Sequence, residues 1–461
     1  MTDWLSKKEV DKFVKSNPDL KGIDLLIPDM CGTPRGKRIG IEAIEKLHKG
    51  GVALPGSTYL LDVTGQNCET ITYGSRDGDP DYNCLGVSGT LKPVPWAKAP
   101  TAQVIASMVT DEGEPFFADP RYILARAAQP LVEMGYTPVT AIELEFYLMD
   151  ETLDKAGRPR TAPSPSSGQR QTTTQVYGID ELYEFQEFLT DVEDACVAQD
   201  VPADTATSEY GPGQYEINLH HVNDPIKACD DALLLKRIIK GVARKHGMIA
   251  SFMAKPYEER AGCGMHIHLS LLDQYGTNIF AGPTDPAIGL PVSRALKEAI
   301  GGLAATVPDS MAIFAPNANS YRRFQANSYA PINTAWGVDN RTVSLRIPKS
   351  GEKDMRVEHR VAGADANPYL TMACVLAGVH HGLAHKIDPG PIEKGNAYDK
   401  PATELPLRWW QALNRFSESE ILPKYLGAHY CETYAAARSF ENDAFQSHIP
   451  PLDYEWYLRT V

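Results

Sequence analysis

Two pairs of metal-binding side chains stand out in the sequence, each with one residue between its members. Glu143 and Glu145 form the first pair, and His266 and His268 form the second. The surrounding residues are largely apolar and strand-like, and alternate side chains of a strand point to the same face. Placing two polar groups side by side on an apolar surface is unfavourable unless something binds them. Each pair therefore indicates a cation site.

Three further glutamates could complete such a site. Glu209 and Glu216 flank a Gly-Pro-Gly turn that can fold their carboxylates toward each other, and Glu358 lies between Arg356 and Arg360 at alternate positions. A single pair of this kind is more often a solvated strand face than a ligand set. Together the residues offer five carboxylates and two imidazoles, enough for two divalent ions. Oxygen-rich sites suit Mg²⁺ or Mn²⁺ better than structural zinc, so the sequence predicts a two-metal centre.

Four motifs occur in the order and at about the spacing found in the glutamine synthetases, and the sequence resembles this family over nearly its whole length. The motifs lie at residues 264–268, 319–323, 340–348 and 366–370. Within the family, the sequence is most similar to the γ-glutamylpolyamine synthetases, which join glutamate to an organic amine. The resemblance implies an α+β fold with a small β-grasp-like N-terminal domain. It also implies a large C-terminal catalytic domain with a curved antiparallel sheet and surrounding helices.

The resemblance divides the expected metal ligands into two sets. The sets are Glu145, Glu209 and Glu216 for one ion, and Glu143, His266 and Glu358 for the other. His268 would instead turn toward the phosphates of the nucleotide. The alternative for His268 is a core histidine whose ring nitrogens are satisfied by the backbone.

The resemblance also implies the reaction. The γ-carboxylate of glutamate attacks the γ-phosphate of ATP to give γ-glutamyl phosphate and ADP, and an amine then displaces phosphate. Such transfers depend mainly on positioning and charge neutralisation. The residues implied for the nucleotide are His268, Arg341, Arg346, Lys353 and Arg356, with Arg341 also assigned a catalytic role. Those implied for glutamate are Gly262, Arg323 and Arg360. Any one of these arginines taken alone is better explained as part of a surface ion pair, whereas six basic residues inside or beside the motifs together favour the functional assignment.

The second half-reaction needs a base, because an alkylammonium resembling lysine has a pKa of about 10.4. Asp29 is the candidate, since it occupies the position of the family's aspartate that binds and deprotonates ammonium. That aspartate reaches the site of a neighbouring subunit, which implies a closed ring and a dodecamer of two stacked rings. Asp79 could assist, or it could simply belong to an Asp-rich turn.

Two positions depart from the family pattern. Tyr329 stands where glutamine synthetases carry a flap glutamate that closes over the ammonium pocket, and Ala261 replaces an asparagine that contacts the substrate amino group. Tyr329 is therefore assigned to substrate binding, and it favours an organic amine over ammonia. The alternative is that Tyr329 packs beneath the flap while another loop supplies the carboxylate.

Composition is consistent with a cytoplasmic enzyme. The net charge of −14 argues against nucleic-acid or anionic-membrane partners, and the eight cysteines show no Cys-x-x-Cys spacing. The N-terminal residues lack the apolar core of a signal peptide, and the longest apolar run, at 369–379, is too short for a membrane span. Three other functions stay open: a glutamine synthetase that uses ammonia, a metal-dependent phosphohydrolase and a catalytically silent member of the fold.

The elements that must position these residues can also be predicted. The 461 residues exceed one ordinary core, and the proline-rich segment 93–100 predicts a boundary between domains at 1–105 and 106–461. Apolar periodicity predicts a strand at 22–28 and helices at 6–16, 120–134, 181–199 and 225–246, with further helices after residue 367.

Overall fold

Two β-sheets organise the chain, and the second carries the predicted metal ligands. The computed structural model describes residues 3–74, 76–400 and 405–461. The strands are β1 (Gly22–Pro28), β2 (Pro34–Gly40), β3 (Val52–Pro55), β4 (Asp81–Gly86), β5 (Lys92–Pro93), β6 (Thr101–Val109), β7 (Thr137–Asp150), β8 (Ala203–Ser208), β9 (Gln214–Leu219), β10 (Met248–Ser251), β11 (Met265–Leu272), β12 (Trp336–Val338), β13 (Leu345–Ile347) and β14 (Val357–His359).

The first sheet has the strand order β2-β1-β6-β4-β3, with β5 paired to β6. β1 and β6 run parallel to each other, whereas the other neighbours are antiparallel. This is the arrangement expected of the β-grasp-like N-terminal part. The proposed boundary between residues 105 and 106 falls inside β6, which is buried along its whole length. The division into two domains at that point stays a prediction.

The second sheet has the order β12-β13-β14-β11-β7-β9-β8, with β10 paired to β7. Its neighbours are antiparallel except for the edge pair β12 and β13, which confirms the predicted antiparallel sheet. Along β7, Ile142, Leu144 and Phe146 are fully buried, while Glu143 and Glu145 between them are partly exposed. The alternation read from the sequence is therefore present in the strand.

Helices pack against the second sheet and around one another. They are α1 (Lys7–Ser16), α2 (Pro120–Glu133), α3 (Ile179–Glu184), α4 (Gln186–Ala198), α5 (Pro225–Lys245), α6 (Arg294–Phe314), α7 (Pro368–His385), α8 (Trp409–Ser417), α9 (Leu422–Leu426), α10 (Ala428–Ser447) and α11 (Pro451–Tyr457). Short 3₁₀ turns lie at Ile41–Leu47, Gly56–Leu60, Ser320–Arg323, Glu352–Asp354 and Ala397–Asp399.

Three of the predicted helices are confirmed within one residue at each end, namely those at 6–16, 120–134 and 225–246. The helix predicted at 181–199 is instead two helices, α3 and α4. Phe185 separates them because its backbone, with φ of −120°, leaves the helical region while its side chain is buried.

Helices α6 and α7 approach closely at glycines. A Cβ atom on Gly302 would lie 2.2 Å from the carbonyl oxygen of Gly378, and one on Gly382 would lie 2.0 Å from that of Glu298. The apolar run at 369–379 lies in α7, where every one of its residues is buried. Among the helices of the described ranges, none combines the length and apolar character that crossing a membrane requires.

A buried ion pair joins the helices beneath the sheet. Arg121 on α2 donates to both carboxylate oxygens of Asp230 on α5, at 2.8 and 2.9 Å, and the hydroxyl of Tyr369 on α7 donates to the same carboxylate at 2.6 Å. Because a buried charge is stable only when it is paired, these contacts fix three helices relative to one another.

Candidate metal and phosphate site

The register of β11 places both predicted histidines opposite carboxylates. His266 pairs with Glu143 on β7, and His268 pairs with Glu358 on β14. Glu143 Oε2 lies 3.2 Å from His266 Nδ1, and its Oε1 lies 2.9 Å from His268 Nε2. Glu358 Oε1 lies 3.9 Å from His266 Nδ1. Two histidines and two glutamates predicted from separate stretches therefore form one cluster.

The remaining predicted ligands extend this cluster toward β9. Glu145 and Glu216 are cross-strand partners, and Glu216 Oε2 lies 4.0 Å from His266 Nδ1. Glu145 accepts hydrogen bonds from the Gly264 N–H at 2.7 Å and from Gln214 Nε2 at 3.3 Å. Glu209 lies one residue beyond the end of β8, close enough to Glu145 for their charges to interact.

Negative charge in the cluster is only partly balanced by the chain itself. Burial, followed by the charges of Glu143 and Glu145, raises the pKa of Glu216 well above its ordinary value. Burial and the charge of Glu145 raise the pKa of Glu209 to about 8. Burial also opposes ionisation of Glu143, but hydrogen bonds with His266 and His268 hold its pKa below the usual range. Because an opposite charge favours ionised carboxylates, a bound cation would relieve this repulsion.

The donor atoms suit divalent ions. Among the residues that the structure describes, two groups have ligand atoms that all lie within 4.8 Å of one another: Glu143 with His268 and Glu358, and Glu143 with Glu216 and His266. Carboxylate oxygens with one imidazole match the preference of Mg²⁺ or Mn²⁺. Glu143 belongs to both groups, whereas the sequence assigned it to a single ion; the division of ligands between two ions stays a prediction.

Two arginines bind Glu358 and leave donors free. Arg346 donates to Glu358 Oε2 at 2.7 Å, and Arg360 donates to its Oε1. Burial opposes ionisation of Glu358, but Arg360 and the two histidines lower its pKa to about 2. The Nε atoms of both arginines are buried and bond to nothing in the described part of the chain. Buried donors without partners are unfavourable, so these N–H groups are suited to an anionic ligand.

His268 is held by a third arginine. Arg356 Nε donates to His268 Nδ1 at 3.1 Å, and Arg356 also donates to the carbonyl of Asp354 at 3.1 Å. In a neutral imidazole only one nitrogen accepts, so Nε2 carries the proton and donates to Glu143. This arrangement makes His268 a hydrogen-bond donor rather than a ready metal ligand.

The other residues implied for the nucleotide are exposed. Lys353 lies in the 3₁₀ turn Glu352–Asp354, and Arg341 lies in the segment between β12 and β13. The positive charge of Arg341 opposes the rise in the pKa of Glu209. Arg341 therefore lies within electrostatic range of the cluster.

Arg323, implied for glutamate, packs against two glycines of the β11 segment. A Cβ on Gly264 would lie 2.8 Å from Arg323 and 3.0 Å from His266 Nε2, and one on Gly262 would lie 2.7 Å from the Arg323 side chain. Arg323 is buried and donates to the carbonyl of Val361 at 2.8 Å. Glycine at both positions therefore leaves room for the Arg323 side chain and, at Gly264, for the ring of His266 as well.

Comparison with known proteins identifies the family of this site. Residues 117–457 match the family described as glutamine synthetase, catalytic domain. The chain belongs to this family.

The gamma-glutamylputrescine synthetase of Escherichia coli (strain K12) is 41% identical over 454 residues, which cover 98% of this chain and 95% of that protein. The glutamate–isopropylamine ligase of a Pseudomonas species is 32% identical, with 99% of each chain covered. A solved structure of a GmaS/ADP complex superposes with a TM-score of 0.84 at 25% identity, covering 99% of this chain and 100% of that one.

Asp29, predicted to take the proton of the amine, bonds to no residue of the cluster in the described part of its own chain. It is completely buried, and one carboxylate oxygen accepts from two N–H groups of its own turn while the other accepts from Arg35 Nε at 2.8 Å. Burial raises the pKa of Asp29, and the contact with Arg35 opposes that shift. Asn367, from the last family motif, donates to the Asp29 carbonyl at 2.9 Å and also caps α7.

Asp79 lies apart from the cluster as well. Its carboxylate accepts from the hydroxyl of Ser57 at 2.9 Å, and its backbone has a positive φ of 52°. Both observations describe a turn, so the assisting role in catalysis rests on the resemblance alone.

Sequence reasoning missed several residues around the glutamine synthetase cluster. On β9, Gln214 holds Glu145 and Asn218 donates to Glu143 at 3.2 Å. Both lie two residues from Glu216 along β9, so their side chains are on the same face of the sheet as that glutamate. This alternation could have identified them from the sequence. The exposed rings of Tyr177 and Tyr210 were also missed, since surface tyrosines carry no spacing signal. Tyr177 lies within electrostatic range of Glu209.

Proposed function

We propose that this chain joins glutamate to an organic amine, a polyamine or an alkylamine, in an ATP-dependent reaction that yields a γ-glutamyl amide, ADP and phosphate. The observation that carries the proposal is the carboxylate–histidine cluster bordered by arginines with unpartnered buried donors. Relatives named as ligases or synthetases for putrescine, isopropylamine and ethanolamide products are 41%, 32% and 30% identical. Relatives named glutamine synthetase are 27% and 28% identical over the same length, which favours an amine over ammonia as the acceptor.

In the first half-reaction, a γ-carboxylate oxygen of glutamate attacks the γ-phosphorus of ATP, and the bond to the ADP oxygen breaks. Arg323 and Arg360 hold the carboxylates of glutamate, for which a planar guanidinium is well suited. Arg341, Arg346, Lys353 and Arg356 neutralise the charge of the phosphates, and His268 holds Arg356 beside them. When bound by the six ligands, two ions of Mg²⁺ or Mn²⁺ would supply further neutralisation of the phosphate oxygens.

In the second half-reaction, the amine nitrogen attacks the acyl carbon of γ-glutamyl phosphate, and phosphate leaves as the C–O bond breaks. The amine must first lose a proton, and we propose that Asp29 of a neighbouring subunit accepts it. Asp79 is the second candidate for this role. The assignment requires an oligomer, for which we propose two stacked hexameric rings.

All eight cysteines are free thiols, which supports a reducing, cytoplasmic location.

An amine panel tests the proposal. Purified protein is incubated with ATP, glutamate and Mg²⁺ or Mn²⁺, and phosphate release is measured with putrescine, alkylamines, ethanolamine or ammonium as the acceptor. We expect at least one organic amine to support a kcat/KM well above that of ammonium. Efficient glutamine formation with no amine accepted would identify a glutamine synthetase instead. Phosphate release without glutamate and amine would identify a phosphohydrolase, and no turnover at all would identify a silent member.

A further inference from the structure

Two tyrosine rings face each other at the surface, next to the glutamate cluster. The ring centroids of Tyr210 and Tyr329 are 6.5 Å apart, and the ring planes are inclined by 55°. Tyr210 is 51% exposed and Tyr329 is 54% exposed. Neither hydroxyl makes a hydrogen bond to the described residues, so both rings offer their faces and their hydroxyls to a ligand.

Each ring is anchored to a different part of the site. Tyr210 directly follows Glu209, one of the expected metal ligands. The Tyr329 segment is tied to the expected glutamate arginine, because the hydroxyl of Ser328 donates to the carbonyl of Arg323 at 3.2 Å. The hydroxyl of Tyr398 also donates to the carbonyl of Ala330 at 2.9 Å. The pair therefore links the segment that carries Glu209 with the loop that follows Arg323.

The backbone at Tyr329 is in an unfavourable conformation. Its φ is 58°, and that of Asn327 is 61°. Asparagine visits this left-handed region readily, whereas a bulky residue seldom does. Such strain persists where the surrounding structure requires it, most often at ligand sites. In this loop the strained residue is the one whose ring lies beside that of Tyr210.

The chemistry of the pair suits a cation on an alkyl chain. An ammonium group is attracted to an aromatic face when it lies within about 6 Å of the ring centre. A linear diamine that presents one nitrogen to the acyl phosphate keeps its other nitrogen protonated at neutral pH, because its pKa is about 10.4. A monoamine of equal length places only carbon at the same position.

We propose that Tyr210 and Tyr329 form a binding site for the distal ammonium of a diamine, and that this pair selects diamines over monoamines. The inference rests on the proposed ligase function and deepens it by naming the acceptor class. Both tyrosines determine specificity without taking part in the chemical step.

The test compares putrescine with n-butylamine as acceptors at saturating ATP and glutamate. We expect wild type to favour putrescine, and Tyr210→Leu and Tyr329→Leu each to lower kcat/KM for putrescine about tenfold, mainly through KM. The kcat/KM of each Leu variant for n-butylamine should differ from that of wild type by less than about twofold. This retained activity would also show that the variants are folded. Tyr210→Phe and Tyr329→Phe should keep most of the selectivity, because the aromatic faces remain. Tyr275→Leu, at a tyrosine that is 82% exposed in a separate turn, is the matched control.

The outcomes separate this inference from the proposed function. Amide formation by wild type, with equal losses on both amines or with no change in either Leu variant, would overturn the role of the pair alone. A wild-type protein that forms no amide with either amine would overturn the ligase function and the inference together.

Discussion

Glu216 lies where the excess negative charge of the site is greatest. Its raised pKa means that, without metal, folding becomes less favourable as pH rises above the ordinary glutamate value of 4.5. We expect Glu216→Gln to stabilise the metal-free protein at neutral pH, because a neutral amide requires neither a buried charge nor proton uptake on folding. The same change should lower kcat/KM and Mn²⁺ affinity about a hundredfold, because a hard cation loses a charged oxygen ligand.

Thermal unfolding without metal and calorimetric titration with Mn²⁺ measure the two effects. Glu187→Gln, at an exposed position on α4, should change neither. Wild-type activity of Glu216→Gln at saturating Mg²⁺ or Mn²⁺ would remove this residue from the metal site.

Arg360 combines a bond to Glu358 with a buried Nε that has no partner in the described part of the chain. Lysine cannot supply two donors in one plane, so we expect Arg360→Lys to raise KM for glutamate about tenfold or more and to affect KM for ATP less. Steady-state kinetics with each substrate varied in turn give the comparison. Arg322→Lys, at the exposed neighbour of Arg323, is the control. An equal rise in both KM values would indicate that Arg360 acts only by holding Glu358.

At the scale of single residues, strand alternation predicted which side chains share a face of the sheet. The resemblance grouped Glu143, His266 and Glu358 around one ion, and the sheet register brings these three residues together; their role as metal ligands stays a prediction. Tyr210 could not be predicted, because its proximity to Tyr329 depends on how two loops pack across the site. The proposed role of Asp29 involves a neighbouring subunit. Within its own chain, both oxygens of its carboxylate already accept hydrogen bonds.

At the scale of elements, α1 shows how a helix end is fixed in place. Glu9 bonds both the N–H and the hydroxyl of Ser6 in a capping box, and it also bonds Ser88 and Gly89 beside β4. Burial opposes ionisation, but these donors lower the pKa of Glu9 to about 2. Its stabilising effect is therefore present above the ordinary value of 4.5 and is lost as pH falls toward 2.

We expect Glu9→Gln to lower the free energy of unfolding at pH 7 by about 1 kcal/mol. The difference from wild type should shrink as pH falls from 4.5 to 2. Thermal unfolding over this pH range is the measurement. Asp11→Asn, which breaks an exposed ion pair with Lys7, should have a smaller effect. A difference that does not depend on pH would show that the charge of Glu9 is not involved.

Long helices and the strand at 22–28 were predictable because their periodicity extends over many residues. The exact bounds of the three-residue strands β12, β13 and β14 were not, since so short a segment is a strand only through its pairing. Some residues of the family motifs stabilise the fold by holding backbone segments in place. Asn319, for example, bonds both the N–H and the carbonyl of Lys255 and so fixes the segment before Arg323.

At the scale of the whole molecule, the proposed role of Asp29 requires a second subunit. Subunits carrying Asp29→Asn and subunits carrying Glu216→Gln should each be nearly inactive alone. Co-expressed in equal amounts, they should regain activity at about a quarter of the sites, where an intact cluster meets an intact Asp29 from its neighbour. Activity of the purified mixed oligomer is the measurement.

The control mixes Glu216→Gln with Glu145→Ala subunits, whose defects lie in the same cluster and cannot complement. A mixture of the first two variants that stays inactive would place Asp29 in a structural role within its own chain.

The predicted ligands on β7, β9, β11 and β14 come from segments far apart in the sequence, and only the completed register brings them together. Long-range pairing of this kind closes large loops and is slow, whereas helices such as α5 can form early and locally. The chain must therefore bring together several mutually repelling carboxylates in a late step of folding. Divalent ions present during refolding should then speed the recovery of activity more than the recovery of helix content, and the order in which the two signals return would reveal this kinetic barrier.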